Sequence, residues 1–281
     1  ILHLWQGLGY YSRGRNMHKA ARIVRDEYNG IFPVDYKTLL KLPGVGEYTA
    51  AAISSFANDE AQAVLDGNVF RVLSRYYGID TPINSTEGKK IFSAIAQENL
   101  DSNYPALYNQ AIMDFGATHC KPKQPLCMTC MFNTSCFALQ QGEVDRLPVK
   151  LKGKASKERY FNYFILKDEE HILMSKRGEG DVWQNLYEFP LIESDRTVTI
   201  PELLGDEQFV QYFGESAEIK ILQKQIKHIL SHQNIYATFF EVRLKGNLKQ
   251  KKSNWDYVFL KDLDKLAKHK LIFTFLERSN F

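Results

Sequence analysis

The chain has 281 residues, 44% of them hydrophobic and 25% charged. That is the make-up of a folded globular protein long enough for two cores. A formal charge of +3 permits a nucleic-acid partner without requiring one. No apolar run approaches the ~18 to 20 residues of a membrane helix, and the start lacks the basic region of a secretion signal, so no membrane partner is expected.

The chain opens on Ile1, with Leu2, Leu4, Trp5 and Leu8 at helical spacing. This predicts that it starts inside a helix and that an N-terminal portion precedes it. Apolar periodicity then predicts helices over His18–Tyr28, Tyr36–Leu42, Tyr48–Phe56, Val69–Tyr77, Glu87–Leu100 and Tyr104–Thr118. Breaks at Asn29-Gly30, Pro43-Gly44 and Asp80–Asn84 separate them. Between Arg146 and Arg159 the pattern dissolves into a basic stretch, which places an interdomain linker at 141–159. Beyond it, Tyr160–Leu166, His171–Lys176, Asn234–Leu244 and Trp255–Leu260 read as strands, Val198–Phe213 and Leu260–His269 as helices. The expected architecture is an α-helical domain over 1–140, which includes a cysteine loop at 120–136, followed by a smaller α+β domain over 160–281.

The four cysteines are spaced Cys120-x6-Cys127-x2-Cys130-x5-Cys136. A disulfide framework would spread its cysteines along the chain. Structural zinc favours two short pairs, and here there is one pair with a single cysteine on either side. Four thiolates in one loop suit a [4Fe–4S] cluster, one per iron, better than zinc, and both remain open on spacing alone. Lys121 and Lys123 make the intervening loop basic, which suits a phosphate contact or an ordinary solvated loop.

Leu42-Pro43-Gly44-Val45-Gly46 joins two predicted helices. Pro ends the first, and Gly44 and Gly46 let the backbone turn tightly, leaving the N–H groups around Val45 available to a DNA phosphate. Eighteen residues after Tyr48, Asp66 precedes a helix. It fits an N-cap, and equally a carboxylate that opposes a cationic sugar.

Together, Leu42-Pro43-Gly44-Val45-Gly46-Glu47-Tyr48-Thr49-Ala50, Asp66 and the four cysteines resemble the iron–sulfur branch of the helix-hairpin-helix DNA glycosylase superfamily, within it the MutY-type adenine DNA glycosylases. Gly7-Leu8-Gly9-Tyr10-Tyr11-Ser12-Arg13 also matches, as does Trp183-Gln184-Asn185-Leu186-Tyr187-Glu188-Phe189-Pro190 of the family's Nudix-like C-terminal domain. The resemblance implies an α-helical glycosylase domain with a [4Fe–4S] loop and an α+β Nudix-like lesion-recognition domain. It implies a monomer that acts on double-stranded DNA carrying adenine opposite 8-oxoguanine or guanine, in the bacterial cytoplasm at the nucleoid. Bifunctional relatives have a Schiff-base lysine at the place of Tyr48, and a phenol forms no imine, so the chain is expected to excise without cutting the strand.

The resemblance assigns catalysis to Asp66, Tyr48 and Asn68. DNA contacts fall to Tyr10, Ser12, Arg13, Gly44, Val45, Gly46, Lys121, Lys123, Ser231 and His232, and the cluster to Cys120, Cys127, Cys130 and Cys136. The family's Phe-Ser-His loop is Leu230-Ser231-His232 here, which keeps an apolar contact and loses an aromatic face. The family's adenine-protonating glutamate lies upstream of the Gly-Tyr-Tyr-Ser-Arg motif. The chain is therefore expected to be a piece lacking its acid and to excise poorly alone. After Pro190 no metal-binding glutamate array follows, which opposes a nucleotide hydrolase. The remaining alternatives are a glycosylase/lyase for oxidised pyrimidines and a non-catalytic lesion-binding protein.

Overall fold

The computed structural model describes every residue except Lys154, Asn247, Lys249, Asn280 and Phe281. The first falls in the expected linker and the others in the expected 160–281 domain, so those parts of the expectation lie outside the described residues. The chain forms two compact units, Asn16–Gly153 and a second that joins Ile1–Arg15 to Lys154–Phe281.

The helical unit is built from α1 (Tyr11–Glu27), α2 (Tyr36–Leu39), α3 (Glu47–Asn58), α4 (Gly67–Tyr77), α5 (Thr86–Asn99), α6 (Pro105–Asp114) and α7 (Phe137–Gln140). The first turn of α1, through Arg15, belongs to the other unit. Side-chain caps fix several starts: Asp35 accepts from the Thr38 amide, Asp66 from those of Asn68 and Val69, and Ser85 from Gly88. One core joins α3, α4 and α5 through Ala51, Val69, Leu73, Phe92 and Ala96. A second joins α1, α2 and α3 through Ala20, Val24, Leu39, Leu42 and Ala50. The helix expected to run to Thr118 changes at Phe115 into a π-turn, Phe115–His119.

In the other unit, four strands are ordered β4 (Leu191–Ser194), β1 (Lys157–Ile165), β6 (Gln233–Arg243), β5 (Glu218–Ile229). Strands β1 and β6 run parallel and the outer pairings are antiparallel. A three-stranded sheet is ordered β3 (Tyr187–Glu188), β2 (His171–Lys176), β7 (Trp255–Phe259). Phe161, Tyr163 and Ile165 enter one core together with Ile235, Ala237 and Phe239. Phe164 enters the other with Phe240 and Val242. Helix α10 (Lys270–Arg278) covers the first face through Leu271, Ile272 and Phe275. Helices α8 (Ile200–Leu204) and α9 (Glu207–Phe213) cover the second through Leu203, Phe209 and Phe213. A parallel pair buried on both faces explains why Phe161 to Ile165 of β1 are buried one after another rather than alternately.

Several expectations need correction. Ile1–Leu8 is a run of turns, not a helix: Gly7, Gly9 and Tyr10 adopt φ of +90°, +68° and +45°, which interrupt it. The helical spacing there reflects one-sided packing, since Leu2 and Trp5 lie on the α+β core. The expected linker is largely docked structure. Val149 accepts from the Ile83 amide at 3.0 Å, Asn84 exchanges two hydrogen bonds with the Leu151 backbone, and β1 already starts at Lys157. Leu260–His269 is a 3₁₀ turn to Lys265 and then extended chain, and the true helix is α10. Buried Lys268 closes that turn by donating to the carbonyls of Leu263 and Leu266. The segment Val198–Phe213 breaks at Gly205-Asp206, where Asp206 caps α9. Strand β5 escaped notice because it is an edge strand with two register shifts and a mostly exposed, polar face.

Candidate functional site

The turn between α2 and α3 is shaped by Gly44. Its φ is +83°, and a Cβ there would stand 2.7 Å from that of Asn16, so both conformation and space require glycine. Val45 donates to the Leu42 carbonyl at 3.1 Å, and Gly46 begins α3 without a side-chain cap. With Gly44 and Gly46 exposed, the first amides of α3 are presented to solvent at the positive end of the helix dipole. Tyr48 lies in that first turn, 44% exposed, and its hydroxyl donates to the Met113 sulfur on α6 at 3.7 Å.

Asp66 is the N-cap of α4. One carboxylate oxygen accepts from the amides of Asn68 (2.9 Å) and Val69 (2.8 Å), the other from the Asn68 side-chain amide (3.0 Å). Cap and candidate catalyst are thus one geometry: the bonds that start the helix also fix the carboxylate. Asn68 is held in turn, because its Oδ1 accepts from Arg71 Nη2 at 2.8 Å. Gly116 of the π-turn lets this corner close, since a Cβ there would meet that of Asn68 at 2.7 Å.

Arg71 and Arg75 carry a connection that the motifs did not reveal. Arg71 donates to the carbonyls of Gly116 and Cys120 as well as to Asn68, so one side chain ties the Asp66 corner to the first cysteine. Burial pulls the Arg71 guanidinium below its ordinary value, and the Cys120 charge opposes that. Arg75, one helical turn on, donates to the carbonyls of Val144, Leu147, Lys121 and Pro122 and to the Cys120 sulfur at 3.4 Å. The available signal was two arginines four residues apart in an otherwise apolar stretch of α4.

All four cysteines are half-buried free thiols that line one cavity of about 230 Å³, together with Arg75 and His119. Among the described residues no group of three or more His, Cys, Asp or Glu is arranged around a single metal ion. Zinc would need the sulfurs about 2.3 Å from one centre. Thiols distributed around a cavity instead fit a multi-iron group, and the His119 Nε2 beside them, buried and without a partner among the described residues, is a donor such a group can use. Burial, then the Cys120 charge, raises the Cys127 thiol, so ligation would release a proton. In the same loop Lys121 is half-buried and Lys123 exposed.

In the α+β unit the structure brings together Tyr10, Arg13 and Ser231. The exposed Tyr10 lies 3.3 Å, oxygen to oxygen, from Ser231, and the Arg13 guanidinium stands 5.5 Å from the Tyr10 ring centre. Ser12 is exposed beside them in the first turn of α1. Ser231 and His232 form the exposed tip of the β5–β6 hairpin, closed by the Leu230 amide on the Gln233 carbonyl. Leu230 is half-buried against the core, and the exposed apolar side chain at the hairpin end is Ile229 (70%).

The Trp183–Pro190 stretch is mostly buried. Trp183, at φ +62°, stacks on His269 with ring centres 3.7 Å apart. The carboxylate within it, Glu188, is committed to Arg177, and Asp181 just before it pairs with Arg159 and Arg177. Burial pushes Asp181 up, but the Arg159 hydrogen bond, the Val182 amide and the Arg177 charge outweigh it and bring it to about 2. Burial pulls His269 down to about 4 against its hydrogen bond with Glu188.

A helix-hairpin-helix motif model matches residues 27–56 and a NUDIX domain model matches 162–278. An adenine DNA glycosylase of Buchnera aphidicola (subspecies Baizongia pistaciae) is 32% identical over 238 residues, 84% of this chain and 65% of that protein. That of the Acyrthosiphon pisum subspecies is 33% identical over 200 residues, 71% of this chain and 57% of the relative. The human adenine DNA glycosylase is 46% identical over 148 residues, 52% of this chain and 27% of its own length. The chain spans about six tenths of the bacterial relatives it matches. The motif, the domain and these relatives agree: the chain is similar to adenine DNA glycosylases over most of its length.

Proposed function

We propose that this chain binds double-stranded DNA and works in excising adenine paired with 8-oxoguanine or guanine, as a monofunctional DNA N-glycosylase that leaves an abasic site. The observation that carries the reading is the Asp66 carboxylate, fixed through both oxygens by Asn68 and Val69 at the start of α4. Adenine within the duplex is out of reach, so it is flipped out at a cost of a few kcal/mol. The Tyr10 ring, with Arg13 and Ser231 beside it, stacks against the bases and offsets part of that cost. Ser231 and His232 sample the opposing base, and the amides around Gly44–Gly46 seat a phosphate, as do Lys121 and Lys123.

As the N-glycosidic bond lengthens, positive charge grows on the sugar. Asp66 opposes it, and Asn68 holds the carboxylate in place. Tyr48, anchored on Met113, helps position the sugar and the attacking water. No carboxylate of this chain is assigned the protonation of adenine; Glu47 is exposed at the start of α3. Cys120, Cys127, Cys130 and Cys136 would hold a [4Fe–4S] cluster, which would order the loop. The protein acts as a monomer.

The test is single-turnover excision on duplexes with adenine opposite 8-oxoguanine, using this chain and the gene product that carries its sequence, with and without alkali. Breaks that appear only after alkali support the reading, whereas breaks without alkali assign a lyase and overturn it. Asp66→Asn keeps a good cap and should slow the gene product by about 10² to 10³-fold. An unchanged rate in that variant would remove Asp66 from the chemistry.

A further inference from the structure

His119 immediately precedes the first cysteine and ends the π-turn. Its ring is clamped. It stacks on Phe115 with centres 5.2 Å apart and planes 13° apart, and Phe115 meets Phe132 edge-on at 5.6 Å. Its backbone is held as well, since its carbonyl accepts from the Leu126 amide at 3.1 Å. The ring lines the cavity shared by the four cysteines, and its Nε2 is buried without a hydrogen-bond partner among the described residues. A buried, oriented, unpartnered ring nitrogen is costly unless something in the cavity satisfies it.

The surroundings indicate what that partner is. Two N–H groups already point at cysteine sulfurs: Arg75 Nη1 at Cys120 (3.4 Å) and the Phe132 amide at Cys130 (3.4 Å). Thiolate and sulfide sulfurs become good acceptors once they carry negative charge.

We propose that His119 donates an Nε2–H hydrogen bond to a sulfur of the iron–sulfur group held by the four cysteines and so sets how readily that group is oxidised. This rests on the cofactor reading above. N–H donation favours the more electron-rich, reduced state of a cluster, so removing the donor lowers its reduction potential.

Iron and sulfide content of the holoprotein is measured first, and zinc in their place overturns the cofactor reading together with this proposal. With the cluster present, a mediated redox titration compares wild type with His119→Val and His119→Gln. Loss of the donor in His119→Val should raise the oxidised-to-reduced ratio at a fixed poise roughly tenfold, about 59 mV for a one-electron couple. His119→Gln keeps an amide donor and should recover most of that shift. Coincident titrations of wild type and His119→Val, or equal shifts in both variants, overturn the hydrogen bond and leave the cofactor reading standing.

A second measurement needs no variant to fold. Pulsed EPR of the paramagnetic cluster in protein carrying isotope-labelled histidine should show coupling to one histidine nitrogen, because His119 is the histidine that lines the cavity. Absence of that coupling overturns the proposal.

Discussion

The two units bury arginines in opposite ways. In the helical unit, Arg71 and Arg75 are 7% and 3% exposed and donate to backbone carbonyls, to Asn68 and to a cysteine sulfur. In the α+β unit, Arg159 and Arg177 meet carboxylates: Arg159 binds Asp181 and Glu193, and Arg177 binds Asp181 and Glu188. In the second arrangement every guanidinium charge is met by carboxylates, and the network holds the Trp183–Pro190 stretch. The first leaves positive charge beside four thiols, where an anionic thiolate-bound group would balance it. One network is built for packing, the other around a site.

Glu188→Ala tests this contrast most severely. It strips a partner from Arg177, Tyr163 and His269 at once, so the α+β unit should lose about 3 to 5 kcal/mol in a denaturant titration. A loss below about 1 kcal/mol would mean the network is incidental to packing. Arg75→Lys should cost less, about 1 to 3 kcal/mol, because the lysine cannot reach so many carbonyls. Its distinguishing readout is metal: with the proposed iron–sulfur group bound by the four cysteines, the purified variant should carry much less iron than the wild type. Full iron with wild-type stability would remove the proposed match between guanidinium and cofactor.

Acid should act on the α+β unit first. His269 sits at about 4 in the folded state against an ordinary 6.5, so the unfolded chain takes up the proton earlier. The stability present above pH 6.5 therefore falls as pH drops from 6.5 to 4. Asp181, at about 2 against 3.8, continues the loss from pH 3.8 to 2. Melting temperature against pH should show this slope, and His269→Gln should flatten its upper part. A slope unchanged in that variant assigns the sensitivity elsewhere.

The smallest effect belongs to Ser231→Ala. The Tyr10–Ser231 contact is exposed, so stability should change by less than about 0.5 kcal/mol. Affinity for DNA containing 8-oxoguanine should nevertheless fall several-fold more than affinity for undamaged duplex in a binding titration. Equal loss on both would make this hairpin a general DNA contact.

The sequence alone determined the helical and α+β halves, the hairpin turn, the N-cap at Asp66 and the grouping of the cysteines. Each is local: a period, a glycine requiring positive φ at Gly44, a polar residue before an apolar run, thiols close in the chain. Tertiary structure decided the rest. It drew Ile1–Arg15 onto the α+β core, left Leu230 half-buried against that core and Ile229 exposed, and joined Asp66 to Cys120 through Arg71. It also moved the last helix to α10, because buried Lys268 and His269 hold the preceding chain extended. Those outcomes depend on partners distant along the chain, and no local periodicity encodes which face of a residue such a partner will claim.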